Sequence, residues 1–394
     1  MKLNLKDKQW QLAPWEDPQF DPDLPHFQNL ERYHHRGFVS EGTMVALPLC
    51  FPGMTTPIPP DESAITALEI DDKWRIYGGT SGRQAHLFCA FTRGVTGMVH
   101  DLGPIPEATS CSSVMIGNDF TVYAAASGAD AGWIVAHAPE KIPYDCLQEW
   151  GFYRTPYQKI AEPVPGEAIA HAVYAAAENA IYGISAKTGT LFEVALDAKA
   201  VTLHPKVDPV HKFGTRLLLY RNLLLGTNFD GKIWQFDLDT KFFRQTDLML
   251  PCAAGRQFHN QVQTWVVDER GEIIYGSSTT DGFLFAYNPI ENTVRSLGKP
   301  AVSRAINCLA VTQDGRLFGI TGQPDEISHL FCYDPDSHEF KDLGVPVSVF
   351  NERAYGYHFQ SAVTGKDGEI IFGQAERVSN LWLYFPAIVP SMHC

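Results

Sequence analysis

Cysteine pairs spaced as CxxC do not occur in this sequence of 394 residues, although it contains eight cysteines. Several of these cysteines lie inside apolar, strand-like runs such as HLFCAF and HLFCYD. Cysteine is among the residue types most often found buried, and disulfides are rare in reducing compartments. We therefore expect reduced, buried thiols, with structural disulfides as the alternative.

Positive charge is also scarce, since 31 Lys and Arg stand against 45 Asp and Glu, a net charge of −14. Non-specific phosphate binding requires a positive field, so we expect no nucleic-acid partner. No window reaches the roughly 18 apolar residues of a membrane span, so we expect no membrane partner either. Residues 1–20 lack the apolar segment of a secretory signal, which predicts a cytoplasmic protein.

Long amphipathic helices and common catalytic motifs are missing too. The sequence contains no Gly-rich phosphate loop, no GxSxG elbow and no HExxH helix. Most Asp and Glu residues stand in turn sequences such as TQDGR and GKDGE, so no catalytic pair of carboxylates stands out. What the sequence does contain is short runs of β-branched and aromatic residues separated by Gly, Asp, Asn and Pro, a pattern typical of strands.

A glycine that ends an apolar run recurs along these strands and marks a repeat. The copies run from WRIYGG to IIFGQA and are 43 to 59 residues apart. A further strand such as HLFCAF or KIWQFDL follows most copies, and an outer strand closing in LG follows several. The anchor residues of the seven copies are Gly78, Ala124, Gly183, Gly226, Gly276, Gly319 and Gly373.

Units of about four strands with a period of 40–50 residues are typical of β-propeller blades. One blade cannot bury both of its faces alone, so neighbouring blades pack around a central axis. The seven units therefore predict an all-β fold, a seven-bladed β-propeller with four-stranded blades. A β-sandwich would not need seven similar units, and a parallel β-helix would have a shorter period.

The last repeat lacks a fourth strand, because only the short, proline-bearing stretch AIVPSMHC follows NLWLYFP. We expect a strand from the N-terminal residues, such as TMVALPLC or KQWQLAP, to complete the seventh blade and remove the open edge. The predicted organisation is an N-terminal segment, residues 1–60, which supplies this strand and a cap, followed by the propeller, residues 61–394.

The repeat resembles that of seven-bladed β-propellers of the kelch-like and polysaccharide-lyase-like kind, over about residues 60–386. The resemblance concerns architecture. The WD dipeptide of WD40 repeats, the paired glycines of kelch repeats and the Asp-box of sialidase-type propellers are all absent. It implies a ligand site at one end of a central channel, lined by the innermost strand of each blade.

Counting back from the anchors identifies two rings of candidate residues on the innermost strands. Twelve residues before each anchor, every side chain is small or polar, which predicts a ring facing the axis; a simple water-filled pore is the alternative. This ring consists of Thr66, Ser112, His171, Gly214, Thr264, Asn307 and Ser361. Three residues further back, the ring consists of Ser63, Thr109, Ala168, His211, Gln261, Arg304 and His358.

The second ring is chargeable in its later members, which come from four consecutive blades and are expected to cluster on one side of the channel mouth. His259, Tyr355 and Tyr357 lie close to them in sequence. Hydrogen bonding between blades is the alternative role for this ring. A slip of one or two residues in a strand would re-aim every side chain.

A combination of His, Arg and Tyr suits β-elimination from a uronic acid. In this interpretation Arg304 holds the carboxylate, His358 or His211 is the base, and Tyr357 protonates the leaving oxygen. The predicted substrate is a small acidic oligosaccharide. The residues predicted to bind it include Gln261, His259, Asn307 and His171.

The same histidines could instead form a metal site. His211, His259 and His358, together with Gln261, offer nitrogen and oxygen ligands for a divalent ion such as Mn, Ca or Zn. The oligogalacturonate lyases, which are cytosolic seven-bladed enzymes, are similar in using a His/Gln metal cage. No run of this sequence matches theirs residue by residue.

Two segments outside the repeats add further candidates for substrate binding. ERYHHRGFVSEG, residues 31–42, could cap the channel and supply His35 or Arg36; a polar surface turn is the alternative. YDCLQEWGFYRTPYQK, residues 144–159, is an insertion whose Trp150, Tyr153 and Arg154 could contact a sugar; a hydrophobic plug is the alternative.

Three functions remain open from the sequence. The first is a carbohydrate-active lyase that performs β-elimination on uronic-acid-containing oligosaccharides in the channel mouth. The second is a non-catalytic propeller that binds a protein or a glycan. The third is a metal-dependent hydrolase or isomerase of small molecules. Fold resemblance alone does not choose between them.

Overall fold

The computed structural model describes residues 41–49, 57–94, 96–137, 157–204, 214–256, 260–301, 303, 305–323, 326–348 and 354–387. Within these ranges the chain forms strands, turns and irregular segments, and no helix. No helix there could therefore cross a membrane.

Seven four-stranded antiparallel sheets make up the molecule, as the repeat predicts. The first four follow the chain in order, each with its first strand innermost. Blade 1 contains β2 (Ala64–Ile70), β3 (Ile76–Ser81), β4 (His86–Arg93) and β5 (Thr96–Pro104); blade 2 contains β6 (Ser110–Ile116), β7 (Val122–Ser127), β8 (Gly132–His137) and β9 (Gln158–Ala161); blade 3 contains β10 (Ile169–Ala175), β11 (Ala180–Ser185), β12 (Leu191–Ala195) and β13 (Ala200–His204); blade 4 contains β14 (Leu218–Tyr220), β15 (Leu223–Thr227), β16 (Lys232–Asp237) and β17 (Phe242–Met249).

The remaining blades follow the same plan, apart from a small additional hairpin before blade 7. Blade 5 contains β18 (Val262–Val267), β19 (Ile274–Ser278), β20 (Leu284–Asn288) and β21 (Thr293–Gly298); blade 6 contains β22 (Ile306–Val311), β23 (Leu317–Thr321), β24 (His329–Asp334) and β25 (Glu339–Gly344); the hairpin is β26 (Val347–Ser348) with β27 (Ala354–Tyr355); blade 7 contains β28 (Phe359–Thr364), β29 (Ile370–Gln374), β30 (Asn380–Phe385) and β1 (Thr43–Pro48).

The ring is closed by the N-terminal strand β1, which pairs antiparallel with β30 from Thr43↔Phe385 to Pro48↔Asn380. This confirms TMVALPLC as the closing segment. The backbone N–H of Ala46 also donates to the Ser348 hydroxyl at 3.1 Å, which ties β1 to the small hairpin. Strand β1 falls inside the predicted segment 1–60, and its predicted cap lies outside the described residues.

The anchor glycines have a steric cause. A Cβ added at Gly78 would stand 2.0 Å from the Phe88 ring, and one at Gly183 would stand 2.2 Å from the Phe192 ring. Gly226, Gly276 and Gly319 are crowded in the same way by an aromatic ring of the third strand. In blade 2 the residue facing Ala124 is Val135, which leaves room for a methyl group. In these blades the glycine recurs because an aromatic side chain of the third strand packs directly against its backbone.

Seven hydrophobic clusters fill the spaces between blades, one at each interface. The cluster between blades 7 and 1 includes Val45 and Leu47 of β1 with Ile65 of β2, so the closing strand belongs to the core. Each fully buried side chain of this size contributes about 2 kcal/mol through removal from water. The radial stack therefore has no open interface among the described blades.

The described cysteines fit the expectation of reduced thiols. Cys89, Cys111, Cys252, Cys308 and Cys332 form no disulfide among the described residues, and all of them except Cys252 are buried. Burial raises the pKa of the Cys111 and Cys308 thiols to about 12, so these groups stay protonated at neutral pH.

Candidate functional site

A cavity of about 680 Å³ occupies the central channel. It is lined by the innermost strands of blades 1, 2, 3, 4, 5 and 7, and it continues to the turns that join the first and second strands of blades 1 and 2. We call the face that carries these turns the lower face, and the opposite face the upper face. The polar side chains lining the channel include those of Thr66, Glu69, Ser112, His171, Arg216, Thr264, Gln360 and Ser361.

The first predicted ring is largely in the channel wall. Thr66, Ser112, His171, Thr264 and Ser361 all line the cavity. The other two members lie in tighter surroundings. Gly214 packs against Thr227 and Gln261, and the Asn307 amide nitrogen donates to the Gly322 carbonyl at 2.6 Å.

Hydroxyls of this ring and of the residues beside it connect neighbouring blades. Thr66 Oγ1 lies 2.6 Å from the Cys111 carbonyl of blade 2 and 2.9 Å from Ser81 Oγ. Ser113 Oγ accepts the Ala172 N–H of blade 3 at 2.9 Å. The uncharged polar groups of the inner strands are thus partly satisfied by the fold itself.

Arg216 is the one cationic side chain that lines this cavity among the described residues. It immediately precedes the buried Leu217 and lies deep in the protein, yet its side chain still faces open channel space. It forms no ion pair or hydrogen bond within the described ranges, and burial alone lowers its pKa. An arginine stays protonated under these conditions, so the channel contains a fixed positive charge without a counter-ion from the described chain.

His171 stands beside this charge on the neighbouring blade. Burial, together with the positive charge of Arg216, lowers the pKa of His171 to about 3. Its Nδ1 accepts the Leu217 backbone N–H at 3.4 Å, a long contact that links blades 3 and 4. The imidazole is therefore neutral at physiological pH, and this contact leaves its proton on Nε2.

Glu69, on the inner strand of blade 1, is the acidic counterpart in the channel. Burial raises the pKa of Glu69 to about 7, and a hydrogen bond from the Ile70 N–H to Oε1 at 3.1 Å opposes this shift. Near neutral pH this carboxyl is present in both protonation states. That property suits a group which takes up and releases a proton during a reaction.

A second cavity, of about 670 Å³, opens on the upper face beside the channel. It is lined by His358, Gln360 and the loop from Ala375 to Val378, and Gln360 also lines the channel. Gln360 Nε2 lies 3.1 Å from His358 Nε2, and His358 Nδ1 is buried without a hydrogen-bond partner among the described residues. Burial lowers the pKa of His358, which is thus neutral at pH 7.

Tyr357, the predicted acid, is 44% exposed at this mouth and stacks on Tyr355 with ring centroids 6.2 Å apart. Near it, burial raises the pKa of Glu376. The upper mouth therefore brings His358 together with an amide and a carboxyl group, whereas Tyr357 does not line this cavity.

Gln261 has a structural contact instead. Its side-chain Oε1 accepts the backbone N–H of Thr215 in blade 4 at 3.1 Å. Its backbone N–H donates to Thr279 Oγ1 at 3.1 Å. The contact with Thr215 corresponds to the alternative role considered for this ring, hydrogen bonding between blades, and it uses the side-chain oxygen of Gln261. Among the described residues no group of three or more His, Cys, Asp or Glu side chains could hold a metal ion.

Several predicted site residues fall outside the described residues, and their roles stay predictions. They are His35, Arg36, Trp150, Tyr153, Arg154, His211, His259 and Arg304.

The sequence interpretation missed Glu69 and Arg216. Both are single charges next to apolar runs, in ITALEI and TRLLLY. A charge at the end of an otherwise apolar inner strand was the available signal, because such a residue is costly to bury without a purpose.

The fold is shared with solved structures of low sequence identity. A streptogramin B lyase structure matches with a TM-score of 0.63 at 9% identity, covering 88% of this chain and 98% of that chain. A catalytically inactive histidine-to-alanine variant of virginiamycin B lyase from Staphylococcus aureus, solved with quinupristin, matches with a TM-score of 0.62 at 10% identity, covering 87% and 99%. The extracellular domain of a one-component system from B. thetaiotaomicron matches with a TM-score of 0.57 at 12% identity, covering 87% and 40%.

No protein-family model and no curated protein sequence matches the chain. At these identities the structural matches establish the seven-bladed propeller fold, in agreement with the architecture predicted from the repeats.

Proposed function

We propose that the protein is a lyase that binds a small acidic oligosaccharide in its central channel and performs β-elimination next to a uronate carboxylate. The observation that carries the proposal is Arg216, a partly buried guanidinium that lines the channel without a counter-ion among the described residues. A buried charge without a partner is strongly unfavourable, whereas a bound carboxylate would pair with the guanidinium bidentately.

Arg216 contributes to the chemistry as well as to binding. The proton on the carbon next to a carboxylate is weakly acidic, because negative charge develops on that carboxylate when the proton leaves. A guanidinium paired with the carboxylate stabilises this charge, and it does so most effectively in a site from which bulk water is largely excluded. Arg216 thereby has the role that the sequence interpretation gave to Arg304.

Glu69 is the proposed proton-transfer group. Its ionised carboxylate takes the proton from the carbon that bears the uronate carboxyl, and the electrons of the broken C–H bond form the new C=C bond. The bond from the next carbon to its glycosidic oxygen breaks, and that oxygen keeps the bonding electrons. The protonated Glu69 then returns a proton to this leaving oxygen, which balances the reaction. A pKa of about 7 suits both halves of the cycle.

His171 is placed to orient the ligand. Its neutral ring keeps a proton on Nε2 and can donate a hydrogen bond, while adding no positive charge beside Arg216. The two lyases among the solved structures of this fold add support by analogy only.

The upper-mouth residues His358 and Tyr357 remain a second proposed set, together with His211 and Arg304. They would serve an oligosaccharide that reaches the channel from that side. A cytoplasmic location is likewise part of the proposal, since it follows from the sequence alone.

The test is incubation with a panel of uronate oligosaccharides, followed by the ultraviolet absorbance of the conjugated double bond that elimination creates. We expect wild-type protein to increase the absorbance. Arg216→Gln should reduce kcat/KM on the order of 100-fold, since it removes a charged partner of the substrate. Arg244→Gln changes an exposed arginine on the outermost strand of blade 4 and should have no effect.

Two other outcomes would contradict the proposal. Calorimetric binding of uronates that depends on Arg216 but gives no absorbance change would identify a binding protein instead of a lyase. If no carboxylate-bearing sugar binds to the wild-type protein, the proposed function is wrong.

A further inference from the structure

Five blades make the same turn between their first and second strands, on the lower face. In each turn the N–H of the fourth residue donates to the carbonyl of the first. The pairs are Trp74 to Asp71 at 2.9 Å, Phe120 to Gly117 at 2.9 Å, Gly271 to Asp268 at 3.0 Å, Gly315 to Thr312 at 2.8 Å and Gly368 to Gly365 at 3.3 Å.

The fourth residue of this turn has a left-handed backbone. Gly271, Gly315 and Gly368 have φ of 67°, 83° and 83°, values that glycine adopts without strain. Trp74 and Phe120 occupy the same position with φ of 65° and 63°. A bulky aromatic residue in this conformation is an outlier, because its Cβ crowds the neighbouring carbonyl.

Contacts within the protein account for the two aromatic residues only in part. Trp74 is 40% exposed, so much of its ring lies in solvent, and Lys366 Nζ lies 5.4 Å from its ring centroid. Phe120 is partly buried, with Lys73 Nζ at 3.8 Å and the Arg75 guanidinium at 6.0 Å from its ring centroid. Cation–π contacts at exposed sites are weak and can at most balance the strained backbone. Backbone strain at bulky residues is often found at binding sites.

The turns that carry the two aromatic residues lie at the mouth of the central channel. Phe120, Asp71 and Asp72 line the same cavity as Arg216 and Glu69. Asp71 is held in place by an ion pair with Arg75 at 2.6 Å, which fixes the turn that presents Trp74. Phe120 therefore stands where a ligand that reaches Arg216 from the lower face would pass, and Trp74 lies on the adjacent turn, two residues after Asp72.

We propose that Trp74 and Phe120 form an aromatic subsite at the lower mouth that stacks against a pyranose ring of an oligosaccharide whose uronate is held inside by Arg216. This inference rests on the proposed function and deepens it, because it selects oligosaccharides over single-ring carboxylates and assigns entry to the lower face. An aromatic ring buries the apolar face of a sugar at low conformational cost, since it has only two side-chain torsions.

The test compares calorimetric Kd values for a uronate monosaccharide and a uronate trisaccharide. Trp74→Gly and Phe120→Gly should each weaken trisaccharide binding about 10-fold, the loss of one stacked ring. Monosaccharide binding, which needs Arg216 alone, should change less than about twofold. Because glycine relieves the strained backbone, both variants should also melt higher by about 2 °C.

Two controls separate binding from folding. Lys199→Gly changes another left-handed residue, with φ of 51°, in the outer turn of blade 3, and should raise the melting temperature without affecting either sugar. Phe120→Tyr keeps a ring and should retain trisaccharide affinity.

The inference is overturned if both glycine variants bind the trisaccharide as tightly as wild type. It is also overturned if they lose monosaccharide and trisaccharide binding equally, since the residues would then act on the channel as a whole. Tight wild-type binding of both sugars with unaffected variants would remove the subsite and leave the proposed function intact. Failure of wild type to bind either sugar would remove both.

Discussion

The arc of the channel formed by blades 1, 3 and 4 carries ionisable side chains, whereas the arc formed by blades 5 and 7 carries hydroxyl and amide groups. Glu69, His171 and Arg216 lie on the first arc, and Thr264 and Gln360 lie on the second. The two arcs share the same strand order within each blade and differ in the side chains that line the cavity.

The comparison separates groups that the fold can satisfy from groups that it cannot. Several hydroxyl and amide groups in the wall have a partner on the same or the next blade, as Gln360 does with His358 and Thr66 with Cys111. A guanidinium away from bulk water needs a negative charge or several hydrogen-bond acceptors, which the described channel residues do not offer to Arg216. The ionisable arc is thus the less stable and the more reactive part of the ring.

Glu69→Gln should produce the largest change in stability. The folded protein keeps a proton on Glu69 up to about pH 7, whereas the unfolded chain releases it near pH 4.5. Because the folded state binds more protons between these values, its stability falls as pH rises through this window, by up to about 3 kcal/mol. The glutamine variant should lack this loss in urea unfolding at pH 4 to 8. Parallel pH curves for variant and wild type would show that Glu69 is solvated.

Arg216→Met should have the next largest effect, a gain of about 1 kcal/mol in the free energy of unfolding, since it removes an unpaired buried charge. Arg75→Met is the matched comparison, because Arg75 pairs with Asp71 at 2.6 Å and its loss leaves this buried carboxylate with backbone N–H donors but without its cation. Urea unfolding at pH 7 should therefore move the two variants in opposite directions. A loss of stability in both would mean that Arg216 has a structural partner.

Thr264→Ala, on the neutral arc, should change the free energy of unfolding by no more than about 0.5 kcal/mol. The side chain lies in the channel wall and carries no charge. Urea unfolding should also show an unchanged pH dependence. A larger loss of stability would show that Thr264 stabilises the fold, and the two arcs would then differ less than we expect.

The architecture was predictable from the sequence because its signal is local. A ring on the third strand needs a glycine on the second, as in the contact of Phe88 with Gly78, and this requirement recurs in most blades. The closing strand was predictable because the seventh repeat was one strand short. Both arguments depend on counting elements and need no side-chain direction.

The channel chemistry was harder to predict because the offset between anchor and inner strand varies. The residue paired with the anchor lies ten positions earlier in blade 1, at Leu68, and eleven earlier in blade 3, at Ala172. In blade 7 Ser361 pairs with Gly373, twelve positions earlier. Hairpin length and a β-bulge in the inner strand cause the drift, and a period alone reveals neither. Arg216 lies ten residues before the anchor Gly226, so counting back twelve residues selected Gly214 and did not identify Arg216.

The pairing of β1 with β30 has a consequence for biosynthesis. Strand β1 leaves the ribosome before every other described strand, and its partner β30 emerges after all of them. The first-made strand must therefore wait with an unpaired edge while six blades are translated, and the final blade can assemble only when translation has passed residue 385. Nascent chains of this protein are accordingly expected to need shielding by chaperones until late in synthesis.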